Sequence, residues 1–452
     1  MCGDGSDGHF DSAHAGGAGD LHAGDPELTA DGIAAHLVGE DEIRRTAAGF
    51  IGYNRTGPGD RVLIGIDNQY EYDAVLPIAD ALRARGASVD IVIVDIGPDR
   101  PFTEFDEIGV LIRREDRKLN PRRWDAVPWV QELARTRNYD LLVHKKGGGI
   151  PATPHRYEAI PWLSLEHLVA EANRYPRSLH ELINRKAWEP FHTVGVGGRV
   201  HLTDPEGTDL TYTLHEGYFD GTRRSYGTEP FWGHLLAHGP TPILPEEDAE
   251  GVVAGTTNHF SKAYPRIVLT LEKGKVVTAD GGGGYGDAWR DLLAESRDIK
   301  YPCFPAPGLF YLWEVAIGTH PLIVRPRDIS RLSSGGFEWE RRRSGIVHMG
   351  FGTRWGGEEE RWAADQKLVY GHLHVHLNFA TLTITTKSNE KITVIKDGRL
   401  AVLDDPEVRA HAAEFGDPSA LLTELWTAQV PGITAAGRYA DYAADPAKYV
   451  YG

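Results

Sequence analysis

Short apolar runs and one helical segment define the first part of the chain. Residues 61–67 (RVLIGID) and 88–95 (SVDIVIVD) are runs typical of buried strands. The segment between them has helical apolar spacing up to Arg85, and Gly86 suits the position just after a helix. A strand, a helix and a second strand in this order predict parallel pairing. Residues 140–144 (DLLVH) predict a further strand of the same sheet.

The pattern changes after a helical stretch that runs from about residue 163 to residue 188. Beyond it, alternating strands are separated by turn residues, which predicts an α+β arrangement with mainly antiparallel strands. We therefore expect an N-terminal α/β domain with a Rossmann-like parallel sheet over residues 26–187 and a C-terminal α+β domain over residues 188–452. The predicted strands of the second domain lie at 200–202, 210–214, 266–271, 345–350, 372–385 and 392–395.

Residues 1–25 are rich in Gly, Asp, Ala and His and contain almost nothing that could be buried. Such a segment cannot bury enough apolar surface to offset the entropy of ordering, so we predict a disordered tail. Its histidines, His9, His14 and His22, could bind metal loosely, but ordering a flexible segment costs too much for a good catalytic site. They are therefore not part of the predicted site.

Composition narrows the function classes. With 452 residues, of which 41% are hydrophobic, the chain can bury a large core, and its length suits two domains. A formal net charge of -17 argues against nucleic acid as the main partner. No apolar run in the sequence approaches the length of ~18 residues that indicates a membrane span. Its two cysteines exclude a cysteine-rich zinc module and fit a reducing cytoplasm. We expect a cytoplasmic protein that binds neither membrane nor nucleic acid.

The α/β pattern lacks a nucleotide-binding motif. The glycines at 147–149 are not followed by Lys-Ser/Thr, and the first predicted strand is not followed by Gly-x-Gly-x-x-Gly. His144 and His155 lie at or just past the C-terminal end of a predicted strand, where open α/β sheets place ligands. The alternative, ordinary loop histidines, stays open.

A row of three histidines stands out in residues 371–379 (GHLHVHLNF). His372, His374 and His376 occupy alternate positions of a predicted strand and therefore share one face. Buried imidazoles need a partner for both ring nitrogens, and a divalent metal can serve several imidazoles at once. The run therefore predicts part of a metal site. A solvent-facing histidine stripe, or packed histidines bonded to backbone carbonyls, is the alternative.

Three further places could carry chemistry. His348 interrupts an apolar strand that runs into a glycine turn, so it needs a hydrogen bond or a metal. Glu314 lies inside the apolar run 312–318 (LWEVAIG), where a carboxylate needs a cation, a metal or a raised pKa. His234 and His238 are four residues apart in a glycine-flanked segment and could face either a pocket or water.

Several pieces of this sequence follow one another in an order that resembles a known superfamily. The pieces are 201–210, 245–251, 267–277, 313–318, 347–352 and the late strand that begins at His372. In this order they resemble the superfamily that contains the thermophilic metallo-aminopeptidases and 2,5-dihydroxypyridine 5,6-dioxygenase. The N-terminal α/β unit is also similar to the first domain of that superfamily.

The aminopeptidase branch implies two metals held by several carboxylates, one of them in an early Pro-Glu-Gly-Glu motif. That motif is missing here, because the corresponding region reads Gly-His-Leu-Leu at 233–236. Glu314 does match the Glu of the superfamily's Glu-x-Ala-x-Gly run. The loss of carboxylates weakens the peptidase interpretation, since two closely spaced metals need bridging acidic ligands.

The dioxygenase branch implies a single iron, held by a His in a His-x-Gly segment and by a late His-x-Asp pair. On this chain these positions fall on His348, His372 and His374, so an imidazole stands where the superfamily has a carboxylate. A shifted register would put the late pair on His376 and Asn378 instead. The resemblance therefore implies His348, His372 and His374 as the metal ligands.

These observations favour a mononuclear non-heme Fe(II) dioxygenase of the extradiol type, which cleaves the ring of a hydroxylated aromatic or N-heteroaromatic compound with O2. Three histidines leave iron with one more unit of positive charge than a site that includes a carboxylate, which suits an anionic, bidentate substrate. His376, His234 or Glu314 would move the phenolic proton. The expected partners are the small aromatic substrate and O2, and we expect a homo-oligomer.

Two alternatives stay open. A metal-dependent aminopeptidase or other hydrolase, with Zn or Co in place of Fe(II), gains support if acidic residues such as Glu216, Glu229 or Glu246 enter the site. A non-catalytic descendant would use the same pocket for binding or assembly.

Overall fold

The computed structural model describes most of the chain beyond residue 55. The described residues are 56–68, 72–95, 103–113, 126–144, 156–159, 168, 170–219, 233–238, 243–324, 340–354 and 357–450. The tail predicted at residues 1–25, His155 and the glycine run at 147–149 lie outside them.

A parallel sheet of four strands forms the first layer, in the order β2-β1-β3-β4. Its strands are β1 (Arg61–Asp67), β2 (Ser88–Val94), β3 (Leu141–His144) and β4 (Arg156–Ala159). Helix α1 (Tyr72–Ala84) connects β1 to β2, and Gly86 follows it with a φ of 89°. The predicted parallel sheet is confirmed, whereas its Rossmann-like character stays a prediction.

Alternate residues of β1 pack on opposite sides of this sheet. Val62 and Ile64 contact the apolar stripe of α1, while Leu63 packs toward helix α3 (Ala126–Thr136), which precedes β3. The shorter helix α2 (Asp106–Leu111) lies between β2 and α3 in the chain. Strands buried on both faces have near-continuous apolar sequences, which explains the pattern of residues 61–67.

Two antiparallel sheets make up the rest of the strands in the described ranges. The larger has the order β10-β9-β8-β6-β5-β14-β15-β16, and the smaller has the order β13-β12-β11-β7. In chain order these strands are β5 (Arg199–Asp204), β6 (Thr208–Thr213), β7 (His234–His238), β8 (Glu250–Thr257), β9 (Ala263–Glu272), β10 (Lys275–Gly281), β11 (Leu312–Gly318), β12 (Val347–Gly352), β13 (His372–Leu377), β14 (Thr381–Thr385), β15 (Lys391–Lys396) and β16 (Arg399–Leu400). The mainly antiparallel second part is confirmed.

The helices of the second part are mostly short. They are α4 (Arg177–Glu189), α5 (Gly283–Ser296), α6 (Glu358–Asp365), α7 (Pro406–Ala412), α8 (Pro418–Leu421), α9 (Tyr439–Ala444) and α10 (Ala447–Val450). Helix α4 spans the predicted domain boundary at 187/188, which stays a prediction. Among the described residues, no helix is long and apolar enough to cross a membrane.

The strand predicted at 372–385 is two strands in different sheets. β13 ends at Leu377 and β14 begins at Thr381. The intervening turn is held by Asp204, whose Oδ2 accepts the Phe379 backbone N–H at 3.0 Å. A continuous apolar pattern did not reveal this break because the turn itself is buried.

The main core lies between the two antiparallel sheets. Leu373, Val375 and Leu377 of β13 belong to it, as do Val253 of β8 and Leu269 of β9. The approach is close, because a Cβ at Gly255 of β8 would lie 2.5 Å from Val375 Cγ1. Since alternate residues of a strand point to opposite faces, the histidines of β13 project away from this core.

A buried histidine–glutamate pair lies within the second part of the fold. His238 Nε2 on β7 is 3.0 Å from Glu247 Oε2, and both side chains are fully buried. The Tyr218 hydroxyl and the Ala249 backbone N–H also donate to this carboxylate. Burial raises the pKa of Glu247, but the charge of His238 and these hydrogen bonds outweigh that effect, so the pKa is lowered overall. His238 therefore has a structural partner.

Replacing Glu247 by Gln should lower the free energy of unfolding by about 2 kcal/mol, because it removes the charge from a buried carboxylate with three hydrogen-bond partners. The folded-state pKa of Glu247 lies below the ordinary value of 4.5, so this stabilisation is present above pH 4.5 and is lost as pH falls through the folded pKa. The Glu247→Gln variant should lose less stability than wild type over that pH range. Urea unfolding at several pH values measures the free energy of unfolding and its pH dependence. Glu246→Gln, at an exposed neighbouring residue, is the control. Equal stabilities of wild type and Glu247→Gln would contradict the stabilising role of the Glu247 carboxylate.

Candidate metal centre

Pairing between β12 and β13 arranges the histidines in a row. His348 lies opposite His376, Gly350 opposite His374, and Gly352 opposite His372. The glycines make room for the imidazoles of β13. A Cβ at Gly350 would lie 3.2 Å from His374 Cδ2, and one at Gly352 would lie 2.9 Å from His372 Cβ. The alternation seen in the sequence therefore does place the three histidines of β13 on one face, and all three are buried.

Three buried histidines converge into one group that could hold a metal ion: His259, His348 and His374. Their candidate ligand atoms all lie within 4.8 Å of one another. Ring centroids are 4.4 Å apart for His259 and His374, 4.5 Å for His348 and His374, and 5.2 Å for His259 and His348. His259 lies in the buried turn between β8 and β9, so the group combines residues from both antiparallel sheets.

A buried carboxylate sets the orientation of His374. Glu107 Oε1 lies 2.8 Å from His374 Nδ1 and accepts the His374 backbone N–H at 2.8 Å. Oε1 already accepts the His374 backbone N–H, and in its ionised form the carboxylate only accepts hydrogen bonds, so that form holds the proton of His374 on Nδ1 and leaves Nε2 to a metal. Burial raises the pKa of Glu107 to about 8 against the lowering effect of hydrogen bonds from Tyr285, His374 and His259. A cation bound by His374 would favour the ionised form.

His348 contacts two of the predicted catalytic residues. Its Nδ1 lies 2.7 Å from His376 Nε2, so this hydrogen bond fixes the orientation of the His348 ring. Its Nε2 lies 3.6 Å from Glu314 Oε2. Glu314 is therefore beside the nitrogen that His348 would offer to a metal. This places a carboxylate next to the three-histidine group without making it a member of that group.

His372 lies at the edge of the group and is not one of its three members. Its Nδ1 is 3.1 Å from the Thr353 carbonyl oxygen, and its ring packs against Trp313 with centroids 4.7 Å apart. Burial lowers the pKa of His372 to about 3, so the ring is neutral. The structure thus brings together His348 and His374 of the predicted ligands and adds His259, while His372 contacts the backbone.

His374 is present in the form that binds metals. Burial pushes the pKa of His374 well below its usual range, and the charges of His348, His372, His376 and Arg341 lower it further. A neutral imidazole has the lone pair that a ligand needs. Three buried imidazoles whose candidate ligand atoms converge are a donor set that fits Fe(II), Zn or Co.

The other predicted residues lie apart or outside. The backbone of His234 is in β7 opposite Gly318, but its side chain lies outside the described residues. Asn378, the ligand of the shifted register, contacts the Arg343 guanidinium through its side-chain oxygen. Glu216 is exposed and paired with Lys387, Glu246 is also exposed, and Glu229 lies outside the described residues.

His259 and Glu107 were not predicted from the sequence. His259 belongs to a polar run, TTNHFSK at 256–262, which is buried throughout between two strands. Such a run is unusual in a buried position and could have signalled a site. Glu107 contacts a residue 267 positions away in the chain, and nothing in its local sequence indicates that contact.

Several solved structures resemble this one, among them two enzymes. No family model matches this chain, and no curated protein matches it. The structure of 2,5-dihydroxypyridine dioxygenase from Pseudomonas putida KT2440 matches with a TM-score of 0.45 and 13% identity, over 82% of this chain and 99% of that one. Wild-type AmpT from Thermus thermophilus, an aminopeptidase, matches with a TM-score of 0.44 and 16% identity, over 80% of this chain and 99% of that one.

These are the two kinds of enzyme that the sequence resembles. At these scores the likeness says nothing about the metal, the substrate or the reaction of this chain.

Proposed function

We propose that this protein is a mononuclear non-heme Fe(II) dioxygenase that cleaves the ring of a hydroxylated aromatic or N-heteroaromatic compound with O2. The observation that supports this most is the buried group of His259, His348 and His374, whose ligand atoms lie within 4.8 Å of one another. Three protein ligands are enough to hold one iron and leave positions for substrate and O2. The ligands expected from sequence were His348, His372 and His374; the proposed set replaces His372 by His259.

Charge at this group favours an anionic substrate. Three neutral imidazole ligands would leave the metal more positive than a ligand set that includes a carboxylate, in a buried environment where electrostatic attraction is strong. A deprotonated hydroxy-aromatic that binds through two adjacent atoms meets this need. When bound, the iron would hold substrate and O2 together and stabilise the negative charge that develops during the reaction.

Residues around the group supply proton transfer and shielding. Glu314 lies 3.6 Å from His348 Nε2, and we assign it the role of base that accepts the hydroxyl proton of the substrate. His376 contacts the opposite nitrogen of His348, so it holds that ring and can share its proton. Trp313 and His372 form a buried wall that excludes water from one side. His234 stays a candidate for a second acid or base.

A metal-dependent hydrolase, including an aminopeptidase, is the second candidate. One carboxylate beside a three-histidine group could activate a water molecule on Zn, and Glu314 has that position. Two-metal chemistry has less support, because the metal-binding group found among the described residues contains only histidines. If the group binds no metal, the remaining alternative is a non-catalytic binding protein.

The ligand set predicts which variants lose metal. Replacing His259, His348 or His374 by Ala should each remove one of three ligands and lower bound metal from near one equivalent to a small fraction of it. His372→Ala is the matched control, since it removes a buried imidazole of the same row and should keep the metal. Elemental analysis of protein purified without a His tag measures this, with thermal unfolding as a check on folding. If His259→Ala kept the metal and His372→Ala lost it, the ligand set expected from the sequence would be the correct one.

The reaction type can be tested on the same protein. Protein reconstituted anaerobically with Fe(II) should consume O2 when given a dihydroxylated aromatic or N-heteroaromatic compound. Glu314→Gln should keep the metal and lower the rate by about 10²–10⁴-fold, because it removes the base. Oxygen uptake is followed beside the release of amino acids from aminoacyl anilides. Anilide cleavage by the Zn or Co form, with no substrate-dependent O2 uptake by the Fe form, would favour the hydrolase.

A further inference from the structure

Glu107 receives hydrogen bonds from three separate parts of the fold. It belongs to α2, the short helix that follows the parallel sheet strand β2, and its side chain is fully buried. Oε1 contacts the Nδ1 and the backbone N–H of His374, both at 2.8 Å. Oε2 accepts the His259 backbone N–H at 3.3 Å and the Tyr285 hydroxyl at 2.9 Å. One carboxylate therefore joins two of the three histidines of the proposed centre.

The α2 segment is fixed to β13 by backbone contacts. Arg113 and Tyr370 exchange two hydrogen bonds, at 2.8 and 3.1 Å, directly before the histidine strand begins. The approach requires a glycine, because a Cβ on Gly371 would clash with the Leu111 carbonyl oxygen, and Gly371 has a φ of 120°. Ile108 also packs into the core between the antiparallel sheets. The position of Glu107 relative to His374 is therefore well determined.

The turn that carries His259 is fixed to the same segment. The Asn258 side-chain amide donates to the Glu104 carbonyl oxygen at 3.1 Å, just before α2. Phe260 inserts into the core of the parallel sheet beside Val62, Ile64 and Leu111. His259 is thus held between a residue that contacts the start of α2 and a residue that packs on the N-terminal sheet.

We propose that Glu107 is a positioning residue for the metal centre and that residues 103–113 are a built-in part of that centre. Glu107 keeps the proton of His374 on Nδ1, directs Nε2 toward His259 and His348, and holds the His259 turn at the right separation. This inference rests on the metal centre proposed above. Partners that orient a metal-binding histidine contribute about 10–100-fold in metal affinity.

A second buried glutamate in this protein provides a matched control. Glu247, like Glu107, accepts from an imidazole, a tyrosine hydroxyl and a backbone N–H, but its histidine, His238, is not in the metal-binding group. Glu107→Gln and Glu247→Gln therefore make the same chemical change in similar surroundings. Only the first should affect the metal.

The test measures the affinity of the full chain for Co(II) by competition with a chelator, followed through the visible absorption of the bound ion. Glu107→Gln should weaken binding about 10–100-fold. Glu247→Gln should leave the affinity unchanged although it lowers stability. Glu107→Asp, which keeps the charge on a shorter side chain, should fall between wild type and Glu107→Gln. Equal affinities of wild type and Glu107→Gln would overturn the proposal.

A second measurement does not depend on metal. In metal-free protein, ¹⁵N NMR of the imidazoles, assigned with a His374→Asn variant, should show the Nδ1–H tautomer for His374 in wild type and in Glu247→Gln. Glu107→Gln should shift that tautomer population. An unchanged His374 signal in Glu107→Gln would overturn the role of Glu107 even if wild type bound no metal. Absence of metal binding in wild type alone would instead count against the proposed function.

Discussion

Buried imidazoles need hydrogen-bond partners, and this requirement shapes the histidine face of strand β13. Burying an unpaired polar group costs several kcal/mol, so a row of buried histidines persists only where the surrounding residues satisfy it. Here the Thr353 carbonyl oxygen contacts His372, Glu107 contacts His374, and the His376 and His348 rings are hydrogen-bonded to each other. With the outer nitrogens occupied in this way, the inner nitrogens of His348 and His374 are directed toward His259.

This arrangement makes the two antiparallel sheets interdependent with the N-terminal segment. β13 packs its apolar face against β8, while its histidine face is covered by α2 and by the turn after β8. The same turn extends Phe260 into the core of the parallel sheet. A metal bound by the three histidines would therefore connect elements that are far apart in the sequence, and binding would stabilise their arrangement by mass action.

The sequence predicted those features that depend on local periodicity. The βαβ unit at 61–95 follows from apolar runs and a helix between them, and the common face of His372, His374 and His376 follows from the two-residue repeat of a strand. It could not predict which of these histidines meet His259, since each imidazole's neighbours come from other strands and turns. Likewise, the break between β13 and β14 depends on Asp204, which holds the turn from another strand.

Resemblance to a superfamily bears on some positions of the site and not on others. It adds support for His348 and Glu314, already indicated by their apolar surroundings, which the structure places 3.6 Å apart beside the three-histidine group. It gave no indication of His259, which lies in the turn after β8 and belongs to the three-histidine group. Sequence order alone does not specify which turn reaches this group, because that depends on how the sheets pack.

The central claim is that one metal ion is held by His259, His348 and His374. Anomalous diffraction at the iron edge, from crystals of iron-loaded protein without a His tag, tests it most directly. The prediction is a single peak within bonding distance of a ring nitrogen of each of the three histidines. Two peaks about 3.5–4 Å apart, or a single peak bound by His372 and not by His259, would contradict it.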